Sequence, residues 1–167
     1  MEKLIELFDS HFEILRKFID RLIVVLFTIQ ILVVFSQVTS RYVFNNSLTW
    51  AEEMARYLQV WVVLLAAATA VRSGSHISVD YATHNLPVKY KRFLNIVIMF
   101  LTTSFLYFVT SYGIKLFLYI HNSMQLSPAM QIPISIAYLA IPLGAVIMLI
   151  ESAILFLKSI VNKQAEK

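Results

Sequence analysis

Glu151 is the residue whose position most strongly invites a chemical explanation. Apolar sequence precedes it, and Ser-Ala-Ile-Leu-Phe-Leu separates it from Lys158. A carboxylate about two turns inside an apolar helix is costly unless it is paired or hydrated. We therefore expect a structural ion pair, with Arg72 and Arg92 as candidate partners because each ends a neighbouring apolar segment. The alternative is that Glu151 simply extends its side chain to the membrane surface.

A second ionisable group, formed by Glu52, Glu53 and Arg56, follows the turn-forming sequence Asn-Asn-Ser. Glu52 and Arg56 are four residues apart, so on a helix they can pair for about 0.2–0.5 kcal/mol. Two acids in a first helical turn also suit the helix dipole. These effects explain the charges structurally, and the functional alternative is a docking site for another subunit.

A third pattern, His76, Asp80 and His84, has the i, i+4, i+8 spacing that would place three metal ligands on one helix face. Gly74 and the polar surroundings favour a loop there, which would not hold the ligands rigidly. The absence of cysteine excludes disulfides and thiolate metal sites. Three glycines in the whole chain cannot build a phosphate-binding loop. We predict no catalytic residues, no cofactor and no metal.

The composition indicates where such residues must be placed. Of the 167 residues, 59% are hydrophobic and 14% are charged, against about 25% charged in soluble domains. This predicts a single all-α integral membrane domain. The net charge of +4 is spread over short segments between apolar stretches. It therefore reflects membrane topology, and we expect no nucleic-acid binding.

The pattern of apolar segments predicts four transmembrane helices, at about residues 22–41, 50–72, 93–115 and 133–157. Residues 1–21 have a helical apolar period, which predicts an amphipathic helix lying in the headgroup layer or packing on a partner protein. We expect no cleaved signal peptide, and the first span should act as an anchor. Residues 73–92 should form a loop with at most one short helix, and Pro142 should kink the last helix.

The distribution of Lys and Arg predicts the orientation. Eleven of the 14 lie in the N-terminal segment, the middle loop and the C-terminal tail. The exceptions are Arg41, Arg56 and Lys115. Basic residues accumulate on the cytoplasmic side of membrane proteins, so both termini should be cytoplasmic.

Polar and small residues within the spans indicate helix packing. Gln30 and Gln37 share one face of the first span, and Gln59 lies in the second. Residues 66–70 (AAATA) would allow close contact between helices. A small oligomeric transporter or channel would need more polar residues along one face, and we keep it as the alternative. A subunit of a membrane enzyme is a weaker third possibility.

Three blocks of sequence carry a family resemblance. They are residues 41–56 (RYVFNNSLTWAEEMAR), residues 74–80 (GSHISVD), and residues 127–133 (SPAMQIP) followed by 138–144 (YLAIPLG). In this order and spacing they resemble the small membrane subunit, the Q subunit or DctQ-like family, of tripartite ATP-independent periplasmic (TRAP) transporters. The resemblance extends over nearly all of the chain beyond residue 20.

The resemblance implies a non-catalytic scaffold in the bacterial inner membrane. Its partners would be a large multi-span subunit carrying the substrate and sodium sites, a periplasmic substrate-binding protein, and the lipid bilayer. The transported compound would be a carboxylated organic anion such as a C4-dicarboxylate or sialic acid, and overall likeness slightly favours sialic acid. The residues expected to hold the fold or the partner are Arg41, Trp50, Glu52, Glu53, Arg56, Gln30, Gln37, His76, Asp80 and Glu151.

Overall fold

A computed structural model describes the backbone of residues 2–72 and 88–165, with side chains over 12–72, 90, 93–94 and 96–157. This part of the chain is helical and confirms the all-α prediction. Four segments are long and apolar enough to cross a membrane, namely Phe12–Val43, Thr49–Arg72, Ile96–Asn122 and Ser135–Leu157. The helices are α1 (Glu2–Val43), α2 (Thr49–Arg72), α3 (Val88–Asn122), α4 (Ser135–Tyr138) and α5 (Ala140–Ala165).

The first helix continues through Arg21 without interruption, so residues 2–21 and the first span form one helix of 42 residues. No Gly or Pro occurs in α1, and nothing in the sequence therefore forces it to break. A location of the first segment in the headgroup layer stays a prediction.

The turn after α1 is fixed by Ser40. The Ser40 hydroxyl donates a hydrogen bond of 2.8 Å to the carbonyl of Asn46, and its own carbonyl accepts from the amides of Phe44 and Asn46. Asn45 adopts a positive φ of 49°, which asparagine tolerates better than most residues. These bonds reverse the chain within five residues, and α2 begins at Thr49.

The third helix extends to Asn122, beyond the predicted end at residue 115. After the connection, the helical region is interrupted at Leu139, between α4 and α5. Pro142 has no N–H to donate to the carbonyl four residues earlier, which is that of Tyr138. The interruption therefore lies one turn before the proline, in agreement with the predicted distortion.

The long helices pack in the order α1, α2, α5, α3, each contacting the next. Ala68, Leu106 and Met148, from α2, α3 and α5, form a small buried core. Helices α2 and α5 approach closely at Gly144, where an added Cβ atom would lie 2.9 Å from Cβ of Leu64. A glycine at this position therefore permits the close packing of α5 on α2.

Most of the apolar surface faces outward. The accessible surface is 11781 Å², whereas a soluble monomer of 19.2 kDa would expose roughly 8,400 Å². Only 6% of the most apolar stretch of α1 is buried within the chain, against 39% of the last span. The outward faces of α1 and α3 carry large apolar side chains, including Phe27, Phe35, Phe100 and Phe105. Lipid or another membrane protein must cover them.

Candidate functional site

Glu53 is a buried carboxylate that binds a loop from another part of the chain. It is 3% exposed. Its Oε2 accepts hydrogen bonds from the backbone amides of Ala129 and Met130, at 2.9 and 3.0 Å, and its Oε1 accepts one of 2.5 Å from the Tyr57 hydroxyl. One side chain of α2 thus supplies acceptors to two amides of the connection between α3 and α4. Bonds to a charged acceptor are stronger than bonds between neutral groups, so Glu53 holds the connection in place.

Hydrogen bonds within the connection itself are centred on Ser127, which is fully buried. The Ser127 amide donates to the carbonyl of Ile132 at 2.8 Å, and the Ile132 amide donates to the Ser127 hydroxyl at 3.3 Å. The Gln131 amide donates to the Ser127 carbonyl at 3.1 Å. This network explains how a segment without helix or strand keeps a defined shape.

Trp61 extends the same attachment along α2. Its indole N–H donates to the carbonyl of Ile136 in α4 at 3.2 Å. Glu53, Tyr57 and Trp61 are spaced by four residues and therefore lie on one face of α2. That face fixes both the connection and the start of the last span, and we call this side of the bundle the Glu53 end.

A second set of polar contacts lies at the opposite end, which we call the Glu151 end. Nε and Nη2 of Arg16 donate to Oε1 and Oε2 of Glu151, at 2.7 Å each. The side chains are 14% and 4% exposed, respectively. A two-point bond between guanidinium and carboxylate has defined geometry and is strong for its type. It joins α1 to α5.

The expected pairing of Glu151 with Arg72 is wrong. Arg72 instead donates to Asp20 at 3.1 Å and so joins α2 to α1. The reason is that α1 is continuous and packs beside α2, which brings Arg16 and Asp20, one turn apart, to this end of the bundle. The side chain of the other candidate, Arg92, lies outside the described residues.

The remaining predicted residues fall into two groups. The expected pair between Glu52 and Arg56 is confirmed, with 3.0 Å between Oε1 and Nη1 and more than 60% exposure of each side chain. The guanidinium of Arg41 lies 5.9 Å from the ring centre of Tyr42. Trp50 and Gln59 are exposed, and Gln30 and Gln37 are half-buried. His76, Asp80 and His84 lie outside the described residues.

Sequence reasoning missed several residues that join the helices. Arg16 and Asp20 were assigned to a separate surface helix, although opposite charges four residues apart beside the buried Ile19 could have indicated an inward face. No sequence pattern indicated the bond from Trp61 to Ile136, because these residues are distant in sequence. Tyr57 bonds to Glu53, which is four residues away, but neither residue type marks this contact. The same holds for the hydrogen bond of 2.7 Å between Thr103 and Ser152, which joins α3 to α5.

The polar contacts at the two ends couple helices to one another and to the connection before α4. In the described part of the chain, every buried side-chain nitrogen or oxygen has a hydrogen-bond partner. Within the same residues, no three His, Asp or Glu side chains are grouped as metal ligands. A half-open hollow beside Arg16 and Glu151 has a volume of about 10 Å³, room for about one water molecule. The arrangement is therefore suited to fixing helix positions.

Comparison with known proteins shows the family of the chain. Residues 30–162, well over half of the chain, match the family described as tripartite ATP-independent periplasmic transporters, DctQ component. The chain is 33% identical over 85 residues to the sialic acid TRAP transporter permease protein SiaT of Haemophilus influenzae, covering 51% of this chain and 14% of that protein.

Two further relatives are small permease proteins. The C4-dicarboxylate TRAP transporter small permease protein DctQ of Rhodobacter capsulatus is 29% identical over 102 residues, which are 61% of this chain and 45% of that protein. The ectoine TRAP transporter small permease protein TeaB of Halomonas elongata is 28% identical over 128 residues, which are 77% of this chain and 66% of that protein. The chain thus spans less than two thirds of each of these relatives. From the family match and its four apolar spans, the chain is a multi-pass membrane protein that belongs to the DctQ family of TRAP transporter components.

Proposed function

We propose that this chain is the small, non-catalytic scaffold subunit of a sodium-coupled, ATP-independent TRAP transporter. In this role it braces a large transport subunit in the bacterial inner membrane and helps to dock a periplasmic substrate-binding protein. In this proposal both termini are cytoplasmic, so the Glu151 end lies toward the cytoplasmic side of the membrane and the Glu53 end toward the periplasmic side.

The use of the buried carboxylates is the observation that supports this proposal best. The Glu53 carboxylate accepts hydrogen bonds from two loop amides and a tyrosine hydroxyl. The Glu151 carboxylate accepts hydrogen bonds from Nε and Nη2 of Arg16. Either carboxylate would have to break helix contacts before it could bind a sodium ion. Removing a partner from a buried charge is costly, so these groups suit a static brace better than a transport pathway.

The partner follows from the length of one relative. The segment of the H. influenzae SiaT permease that matches this chain makes up only 14% of that protein. We infer that a comparable large membrane permease accompanies this chain.

The Glu53 end is the proposed docking surface for the binding protein. Its loop is held by the Glu53 and Ser127 networks, while Met124 is 85% exposed and Leu126 is 54% exposed. A fixed loop that presents apolar side chains loses little conformational entropy when it binds a partner. The substrate proposed is a carboxylated organic anion, such as sialic acid or a C4-dicarboxylate, in line with the names of two relatives.

Uptake by a strain that lacks this gene tests the proposal. Loss of sodium-dependent uptake of labelled sialic acid or C4-dicarboxylate is expected, with recovery when the gene is restored, and replacement of sodium by potassium serves as the control. The tagged chain should also co-purify with a second, larger membrane protein. Unchanged uptake of both compounds, or purification of a stable and active chain without a companion, would refute the proposal.

A further inference from the structure

One face of α2 is covered by neither α1 nor α5. Its exposed residues recur every three or four positions, as expected for one stripe of a helix. A shallow, open depression of about 470 Å³ lies along the middle of this stripe, between Arg56 and Leu64. We call this stripe the α2 outer face, and it consists of Glu52, Arg56, Gln59, Val60, Val63 and Ala66.

Gln59 places a side-chain amide within the apolar part of this face. Helix α2 has 24 residues, and Gln59 lies about 2 Å along the axis from its midpoint. The side-chain amide of Gln59 is exposed, and no described residue forms a hydrogen bond with it. In hydrocarbon such an amide costs several kcal/mol unless a partner satisfies it. Lipid chains provide no donor or acceptor, so a protein group is required.

The sizes of the side chains support the same conclusion. The outer faces of α1 and α3 present Phe35 and Phe105, which are 69% and 66% exposed and suit lipid. The α2 outer face presents the smaller side chains of Val63 and Ala66. Small side chains allow the backbone of another transmembrane helix to approach closely.

The length of the H. influenzae relative supports one kind of partner for this face. There the matching segment is joined covalently to a permease several times as long, so its natural neighbour is another membrane protein. We propose that the α2 outer face receives a transmembrane helix of the large permease subunit. In that contact a polar group of the partner binds the Gln59 amide, and Ala66 allows the close approach. This inference rests on the proposed function.

Spin labelling tests the surface directly, because the chain has no cysteine and single sites can be introduced cleanly. A nitroxide at Val63→Cys reports the α2 outer face, and Ile31→Cys on α1 is the matched control. These residues are 55% and 53% exposed. Each lies about ten residues, or roughly 15 Å, from the paired side chains of Arg72 and Asp20. Oxygen accessibility is measured in lipid nanodiscs for the chain alone and for the co-purified complex.

Accessibility at Val63 should fall several-fold in the complex, while accessibility at Ile31 changes little. If the large subunit co-purifies and Val63 keeps its oxygen accessibility, or only Ile31 loses it, the proposed surface is wrong and the proposed function stands. If no large subunit co-purifies, both the proposed surface and the proposed function are wrong. Gln59→Leu provides a second measurement, for which we expect several-fold less recovered partner and no loss of thermal stability in the isolated chain. Unchanged recovery of the partner contradicts the inference.

Discussion

Arg16 and Glu151 are 135 positions apart in the sequence, and their side chains form two hydrogen bonds of 2.7 Å each. Helices α1 and α5 otherwise contact each other little, because α2 lies between them. The pair is therefore the main direct connection between the first and last helices. It also places the carboxylate of Glu151, inside an apolar helix, beside the charge that compensates it.

Reversal of one charge should break this connection. Arg16→Glu or Glu151→Arg alone should destabilise the chain by about 3 kcal/mol. This value is at the lower end of the range for breaking a buried ion pair, because the Arg16 side chain is 14% exposed. The double reversal should recover part of this loss. Thermal unfolding in nanodiscs, followed by circular dichroism, measures each variant.

Two controls separate the pair from general charge effects. Arg72→Glu should not rescue Glu151→Arg, since Arg72 is bonded to Asp20. Glu13→Ala removes the exposed pair between Glu13 and Lys17, which are 3.8 Å apart, and should cost no more than about 0.5 kcal/mol. Equal stability of Glu151→Arg and the native chain would show that the pair contributes nothing.

Removal of the Glu53 carboxylate should loosen the connection that it holds. Glu53→Ala leaves the amides of Ala129 and Met130 without their acceptor, at a cost of about 1–3 kcal/mol for each group that stays buried. Hydrogen exchange at these amides should therefore accelerate by about tenfold or more. Glu52→Ala is the matched control, because its carboxylate is exposed and bonded only to Arg56 among the described residues. Identical exchange in both variants would contradict the assigned role of Glu53.

Adding a methyl group at Gly144 should separate α2 from α5. The new Cβ would lie 2.9 Å from Cβ of Leu64 and 3.4 Å from its backbone. Overpacking of this kind costs about 1–3 kcal/mol. Gly113→Ala is the comparison, since its Cβ would lie 3.1 Å from Cγ2 of Ile141 and no closer than 3.7 Å to the backbone of Pro142. The unfolding temperature should fall more for Gly144→Ala, and the reverse order would show that the contact with Leu64 is not limiting.

The hydrogen bond between Thr103 and Ser152 should contribute modestly. Hydrogen bonds between transmembrane helices average about 0.6 kcal/mol in double-mutant cycles. Thr103→Val, Ser152→Ala and the double variant form such a cycle. Loss of both partners should cost less than the sum of the single losses, because neither hydroxyl is then left unpaired. Strict additivity would mean that the two hydroxyls do not interact.

The fold was largely predictable because its signals are local. The apolar segments fixed the number of spans, the Asn-Asn-Ser turn fixed the start of α2, and the spacing of Glu52 and Arg56 fixed their pairing. Each inference depends only on helix geometry and residue type within a few turns. The end of α3 was harder, since Lys115 interrupts an apolar segment without ending the helix.

The contacts between helices were much less predictable. Glu151 was identified as needing a partner, but its partner depended on which helix packs beside α5. Treating residues 1–21 as a surface helix removed Arg16 from consideration. Glu53 looked like a helix-dipole residue, and its bonds to Ala129 and Met130 follow from a loop conformation that has no local signature. Long-range pairings of this kind depend on the packing order, which one sequence does not encode in its periodicity.

We propose that this chain supports transport and does not itself conduct the substrate. Purified chain in liposomes, with a sodium gradient and labelled sialic acid or C4-dicarboxylate, tests it most directly. We predict no uptake above that of empty liposomes, and uptake only when the large membrane subunit and the periplasmic binding protein are also present. Sodium-dependent accumulation by this chain alone would contradict the account.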